Sequence, residues 1–176
     1  FTVRQGATVL GSAVTSGTVT GGAASVDYPL PAGTGAATYA IDAVYNPTRD
    51  FGPSSDDTHD LTVSTAATTT TVVGVTTTFS STSQTVTLQA MVTSPAGSVG
   101  EGTVTFTVRQ GSTVIGTATT SGPVSGGAAS ASYTLPAATP VGTYVVDALY
   151  QPGPDYTTST DSAHMVVVAV AVGYYE

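Results

Sequence analysis

The stretch Phe106–Gly116 reads FTVRQGSTVIG, and Phe1–Gly11 reads FTVRQGATVLG. Within each stretch, polar and apolar side chains alternate until a Gln-Gly pair interrupts them. A period of two is typical of a β-strand that buries one face, and a glycine after it favours a tight turn. The stretch therefore predicts a half-buried strand followed by a turn, and its recurrence raises the question of how far the similarity extends.

The similarity extends over 63 positions without a gap. Residues Phe1–Val63 align with Phe106–Val168, and about 35 of the 63 positions are identical. An ungapped register of this length indicates two copies of one structural unit. The second copy is complete from about Thr68, whereas the first copy lacks a counterpart of Thr68–Thr105. We therefore expect the chain to be a window from a longer array that starts partway through a repeat, or a chain that receives the missing strands from another molecule.

The complete copy is predicted to contain about seven short strands separated by Gly, Pro and Ser turns. The predicted strands are Thr70–Thr78, Thr85–Thr93, Thr103–Gln110, Thr113–Thr120, Ala128–Leu135, Thr143–Tyr150 and His164–Val168. Seven alternating strands in about 100 residues are typical of a two-sheet antiparallel β-sandwich. The prediction is an all-β chain with a partial repeat over residues 1–65, a complete repeat over 66–168, and a tail or the start of a further element over 169–176.

Composition narrows the possible partners. Thr and Ser make up about 30% of the chain, Lys, Cys and Trp are absent, and the net charge is −8. An acidic chain with three Arg cannot replace the counterions of a nucleic acid, and without Cys it has neither disulfides nor thiolate metal sites. The apolar run Ala163–Gly173 is too short to cross a bilayer. We expect no nucleic acid partner and no membrane insertion.

A family resemblance follows from motifs of the complete copy. In order, these motifs are TTTTVVGV from Thr68, VTLQAMV from Val86, GTVTF from Gly102, LPA from Leu135, GTY from Gly142 and Asp155-Tyr156. They resemble those of bacterial immunoglobulin-like repeats of the group 3 type. The resemblance implies tandem immunoglobulin-like β-sandwiches in a secreted or cell-surface protein, often an adhesin, and it supplies no catalytic residues. The first copy departs from the pattern at Ala37, where the family prefers Gly.

The acidic stretch SSDDTHD supplies the candidate metal ligands. Asp56, Asp57 and Asp60 could offer carboxylate oxygens to Ca²⁺. Their spacing does not match an EF-hand loop, and the second copy keeps only Asp161 and His164 of this stretch. We therefore predict no bound metal or other cofactor, and a solvated loop that enters the last strand. The two His residues, His59 and His164, are predicted to lie at the rim of the core.

Two further residue types recur between the copies. Asp42 and Asp147 are predicted to point outward and to oppose edge-to-edge pairing, because each is alone in its copy and cannot form an acid–base pair. The repeated tyrosines are predicted to be core residues, with Tyr39 and Tyr144 resembling the tyrosine corner of β-sandwiches. Alternatively, an exposed tyrosine row could stack on sugars. Tyr174 and Tyr175 have no assigned role.

The sequence contains no Gly-x-Ser-x-Gly elbow and no phosphate-binding loop, so we predict no enzymatic activity. The predicted function is a structural repeat of a secreted or cell-surface bacterial protein that acts as a stalk, spacer or filament subunit. The alternative is an adhesin module that binds a carbohydrate or a host protein. The expected partners are other copies of the repeat, in head-to-tail assemblies for which Val166–Val172 is a candidate donor strand.

Overall fold

The structure, a computed structural model, describes residues 1–170, and the chain divides into two compact units. Unit 1 comprises Phe1–Thr65 and unit 2 begins at Ala66. Residues 1–170 contain β-strands and no helix. The prediction of an all-β chain is therefore confirmed.

Unit 1 consists of one antiparallel sheet and a long segment without regular structure. Its strands are β1 (Thr2–Gln5), β2 (Thr8–Val9), β3 (Ala37–Tyr45) and β4 (Ser54–Val63), in the order β2-β1-β3-β4. Between β2 and β3 the backbone forms one isolated bridge, between Thr20 and Ala23, and the Val14 N–H donates to the carbonyl of Phe1 at 2.9 Å. Val3 and Tyr39 are the buried hydrophobic side chains of this unit.

Unit 2 contains two sheets. The first has the order β10-β9-β13-β14-β6, with β11 also paired to β9, and the second has the order β12-β7-β5, with β8 also paired to β7. The strands are β5 (Thr69–Val73), β6 (Val75–Thr78), β7 (Gln84–Ser94), β8 (Gly97–Ser98), β9 (Thr103–Gln110), β10 (Thr113–Val114), β11 (Thr119–Thr120), β12 (Ala128–Leu135), β13 (Gly142–Gln151) and β14 (Ser159–Ala169). All pairs are antiparallel except β14 with β6, which is parallel.

One hydrophobic core lies between the two sheets of unit 2. The largest buried side chains are those of Tyr133, Tyr144, Tyr150, Phe106 and Leu88. The buried positions alternate along β7, β9, β12 and β13 as a period of two requires. The period of two that the sequence shows in these four strands therefore matches the burial of one face of each.

Three predicted strand bounds are wrong. The strand expected at Thr70–Thr78 is divided at Gly74 into β5 and β6, which belong to different sheets. The strand expected at Thr113–Thr120 is likewise divided into β10 and β11. The last strand begins at Ser159 rather than at His164. Alternation alone cannot reveal a change of sheet, because the pattern continues across it.

The C-terminal end of unit 2 is engaged in its own sheet. Residues Val166–Ala169 of the predicted donor strand pair with β6, so they already have a partner within unit 2. Val170 follows without regular structure, and the rest of the predicted donor strand and tail, 171–176 with Tyr174 and Tyr175, lies outside the described residues.

We expect Phe106→Ala to lower the free energy of unfolding of unit 2 by about 3–5 kcal/mol, because Phe106 is fully buried between the sheets. The neighbouring Thr107 faces outward on the same strand, and Thr107→Ala should cost less than about 1 kcal/mol. Denaturant melts of the two variants measure both values. Equal losses would contradict the face assignment of β9.

Ala138 is held in a conformation that suits glycine. Its φ of 55° is positive, whereas its counterpart 105 positions earlier is Gly33, with a φ of 77°. A left-handed conformation costs a residue with a side chain about 1 kcal/mol. We expect Ala138→Gly to leave the stability of unit 2 unchanged or to raise it by up to about 1 kcal/mol, after the greater freedom of the unfolded glycine is counted.

The control for this exchange is Ala131→Gly within β12. Ala131 is buried in a regular strand, and the substitution should cost about 1–2 kcal/mol through lost burial and lost backbone order. Thermal melts of the two variants should therefore shift in different directions or by clearly different amounts. A loss of stability in Ala138→Gly as large as that in Ala131→Gly would show that the positive φ of Ala138 is not strained.

Candidate functional site

An Arg–Asp pair joins two central strands of unit 2. Arg109 on β9 donates through Nε to Asp147 Oδ2 on β13 and through a terminal nitrogen to Asp147 Oδ1 at 2.9 Å. Its other terminal nitrogen donates to the carbonyl of Gly111 at 3.0 Å. The hydrogen bond to Asp147 and the carboxylate charge raise the pKa of the Arg109 guanidinium. The side chain therefore ties the turn after β9 to the neighbouring strand.

The corresponding pair in unit 1 has a similar geometry. Arg4 Nε donates to Asp42 Oδ2 at 2.6 Å, and Arg4 donates to the carbonyl of Gly6 at 3.2 Å. The remaining Arg4 nitrogen lies 3.7 Å from Asp57 Oδ2 rather than on Asp42. Among the described residues, Asp42 Oδ1 is a buried oxygen without a hydrogen-bond partner.

The predicted role of Asp42 and Asp147 is wrong. Both residues do point away from the core, but β3 and β13 are flanked by strands on both sides and are not sheet edges. The two carboxylates instead bind arginines on the adjacent strands. The signal was available in the sequence, because each Arg precedes its Asp by 38 residues and both have outward parity.

Asp161 lies where β14 bulges against β13. The pairing passes from Val146 with His164 to Ala148 with Asp161, so two residues of β14 stand opposite one of β13. Asp161 Oδ1 accepts the backbone N–H of Ala163 at 2.8 Å, and Asp161 Oδ2 lies 2.7 Å from Nδ1 of His164. These contacts fix the backbone of the bulge.

Asp161 also joins the two sheets of unit 2. Its Oδ2 accepts the backbone N–H of Val72 on β5 at 2.7 Å. The side chain is only 10% exposed. Burial works to raise the pKa of Asp161, but the hydrogen bonds from Val72, Ala163 and His164 outweigh it and hold the pKa below the ordinary 3.8. The carboxylate is therefore a stabilised anion between two sheets.

In unit 1 the counterpart Asp56 has only local partners. It accepts hydrogen bonds from the Thr58 hydroxyl at 2.6 Å and from the Thr58 N–H at 3.0 Å, and it lies 2.8 Å from His59 Nδ1. These bonds, in that order, lower the pKa of Asp56 to about 2. The same bulge, with the same contact between Asp and His, thus forms in unit 1 without a second sheet, which indicates that it is encoded locally.

The three Ca²⁺ candidates do not converge on one point. Asp56 faces Thr58 and His59, Asp57 lies near Arg4, and Asp60 pairs in register with Ala40. All three belong to β4, so the predicted loop is wrong. Within residues 1–170, no group of three or more His, Cys, Asp or Glu side chains is arranged to hold a metal ion.

The two His residues differ in exposure. The imidazole of His164 is 41% exposed and that of His59 is 75% exposed. The predicted position at the rim of the core therefore describes His164 better than His59, whose strand has no facing sheet in unit 1.

The repeated tyrosines bind backbone carbonyls. Tyr39 Oη donates to the carbonyl of Gly35 at 2.8 Å, and Tyr144 Oη donates to that of Pro140 at 2.6 Å. Both rings are buried, as predicted. Tyr133 and Tyr150 are also buried core residues, whereas their counterparts Tyr28 and Tyr45 are only half-buried.

A surface groove of unit 2 is lined by side chains that offer no acid, base or nucleophile other than a Ser hydroxyl. It is shallow and is lined by residues of β5, β7 and β12 with Gly122 and Pro123, and no titratable side chain lies among them. No helix long and apolar enough to span a membrane occurs in residues 1–170. Neither a protein-family model nor a curated protein matches the chain.

We expect Asp161→Asn to destabilise unit 2 by roughly 2–3 kcal/mol near neutral pH. The amide lacks the negative charge that strengthens three hydrogen bonds, and one of the two carboxylate oxygens is replaced by an NH₂ group, which is a donor and cannot accept an N–H. The folded-state pKa of Asp161 is lowered, so its contribution is present above pH 3.8 and declines as the pH falls through the folded value. The difference between the natural chain and the variant should therefore shrink in acid.

Denaturant melts between pH 7 and pH 2 measure this difference. The control is Asp56→Asn, because the hydrogen-bond partners of the Asp56 side chain, Thr58 and His59, lie on its own strand in unit 1; this variant should leave the melting of unit 2 unchanged. A pH-independent loss for Asp161→Asn would show that the carboxylate charge has no part in joining the sheets.

Proposed function

We propose that this chain is a non-enzymatic structural segment of a secreted or cell-surface bacterial protein, made of tandem immunoglobulin-like repeats that act as a stalk or spacer. The first support is that the polar contacts of the two units correspond. The Arg–Asp pair, the Asp–His turn and the Tyr–carbonyl bonds occur at positions 105 apart. Side chains that could have carried chemistry hold neighbouring strands together and, at Asp161, join the two sheets of unit 2.

The strand order of unit 2 supports the immunoglobulin-like part of the proposal. The sheet β5-β7-β12 has the order of strands A, B and E of such domains, and β9-β13-β14 has the order of C, F and G. A tyrosine near the start of the F strand that binds a carbonyl a few residues upstream is a further mark of these sandwiches. Tyr144 has this position on β13 and this bond.

The observation that carries the mechanical proposal is the parallel ladder between the beginning and the end of unit 2. Val75 pairs with Val166 and Thr78 with Ala169, so β6 and β14 run side by side in one direction. The chain enters β6 at one end of this ladder and leaves β14 at the other. A pulling force along the chain therefore loads these hydrogen bonds together in shear, rather than opening them one at a time.

The entering segment is fastened along its whole length. Ala66 bonds to the backbone at Asp155 and Thr157, and the Thr68 and Thr70 hydroxyls bond to Ser159. Asp161 then holds Val72 on β5, which belongs to the other sheet. If such a unit does unravel, its roughly 100 residues release on the order of 350 Å of extended chain, so a tandem array lengthens before it breaks.

Force spectroscopy of the full chain between handle domains tests the mechanical role. The Phe79 N–H donates to the carbonyl of Ala169, so by the period of a strand the Thr77 N–H faces β14 and the Thr76 N–H faces away. We expect Thr77→Pro to lower the unfolding force of unit 2, because it removes a donor from the ladder.

Thr76→Pro is the matched control, since it introduces the same ring at a position whose N–H is not used by β14. Its unfolding force should stay close to that of the natural chain. Equal forces for the natural chain and Thr77→Pro, with both folded by thermal melting, would exclude the ladder as the element that bears load.

A further inference from the structure

Core positions of unit 2 have exposed counterparts in unit 1. Leu135 is 0% exposed and its counterpart Leu30 is 45% exposed, and the values for Val124 and Val19 are 1% and 40%. The segment Ala23–Leu30 has the alternation of β12, yet it does not form a strand. A row of apolar side chains in unit 1 therefore lacks a cover.

In unit 2 the corresponding row of apolar side chains, on β12, is covered by another segment of the same unit. The strand β12 pairs over its whole length with β7, from Ala128 opposite Met91 to Leu135 opposite Gln84. Just before β12, the carbonyl of Gly127 accepts the N–H of Val92, and the N–H of Gly127 donates to the carbonyl of Val99. The covering segment is thus Ala66–Gly102, which supplies β5 to β8.

Unit 1 keeps the backbone shape that this contact needs. A Cβ on Gly127 would lie 2.7 Å from the carbonyl oxygen of Val92, so the close approach of β7 requires glycine there. Its counterpart Gly22 has almost the same φ, 83° against 82°, but nothing lies within 4 Å of its Cβ position. Space for the neighbouring strand is open in unit 1.

The segment Ala23–Leu30 is also anchored as β12 is. Tyr28 Oη donates to the carbonyl of Leu10, as Tyr133 Oη does to that of Ile115. Pro29 stands where unit 2 has Thr134, whose carbonyl faces Gly116 on the side away from β7. A proline at this position therefore removes no hydrogen bond to a β7-like strand.

We propose that the open face of unit 1, formed by Val19, Ala24, Val26, Tyr28 and Leu30, binds an extended polypeptide with the sequence of Ala66–Gly102. The incoming segment pairs antiparallel with Ala23–Leu30 and places its Val86, Leu88 and Ala90 against the open face. Strand addition of this kind takes affinity from main-chain hydrogen bonds and specificity from alternate side chains. The inference rests on the correspondence of the two units in the proposed function.

The test uses the full chain and a synthetic peptide of residues 66–102, with amide hydrogen exchange resolved by NMR. The amides that correspond to those facing β7 are at Ala24, Val26, Tyr28 and Leu30, and these should slow on the order of ten-fold or more when the peptide is added. The intervening amides should slow less. The amides of Ala128–Leu135, already paired, are the internal control and should not change.

Matched variants show whether the open face is responsible. Val26→Lys places a charge on the inner face and should abolish the protection, whereas Ser25→Lys adds the same charge on the outer face and should retain it. A peptide with Leu88→Asp should not protect. Protection that survives Val26→Lys, or changes confined to Ala128–Leu135 through exchange with the resident strand, would overturn the proposal.

Two further outcomes are decisive. Dimers of the chain without peptide, seen by sedimentation and lost in Val26→Lys, would overturn it if the amides of Ala128–Leu135 stay protected, because a surface of the second copy other than Ala66–Gly102 would then be the occupant. Absence of any protection, together with the expected loss of unfolding force in Thr77→Pro, would overturn the docking proposal and leave the proposed function standing.

Discussion

The alternating strands of this chain each carry apolar side chains on one face, and such a face is stable only when a second layer removes it from water. Burial contributes roughly 25 cal/mol for each Å² of apolar surface, so an uncovered sheet forgoes most of its stabilisation. In unit 2 two sheets cover each other and enclose Tyr133, Tyr144 and Tyr150. In unit 1 the same pattern lies beside no second sheet, and Ala23–Leu30 forms no strand because no neighbouring strand pairs with it beyond the isolated bridge from Ala23 to Thr20.

Besides covering its apolar faces, unit 2 must provide a hydrogen-bond acceptor near Gly74, where the chain passes from one sheet to the other. A buried N–H must find an acceptor, and Val72 is buried near the point where the chain leaves one sheet for the other. Asp161 supplies that acceptor from the opposite sheet. The bulge with its contact between Asp161 and His164 also forms at Asp56 and His59, so the bond to Val72 uses a local structure that forms without the second sheet.

The contacts of the few charged residues bear on the proposed function. Two of the three arginines bind carboxylates on neighbouring strands, and the carboxylate of Asp161 joins sheets. Apart from Asp42 Oδ1, which has no hydrogen-bond partner, the oxygens of these carboxylates are held by partners, which agrees with the proposed structural role. The parallel ladder between β6 and β14 gives the same unit the geometry on which the proposed mechanical role rests.

By itself the sequence determined the all-β class, the inner faces of β7, β9, β12 and β13, and the burial of Tyr39 and Tyr144, because a period of two states which side of a strand is apolar. Only the tertiary structure decided which strands are neighbours. Three features depend on that choice: the division of the strand at Gly74, the position of Asp42 and Asp147 on strands that are not sheet edges, and the bond from Val72 to Asp161. Pairing is a long-range contact between segments, and the pattern within one strand is the same whichever strand lies beside it.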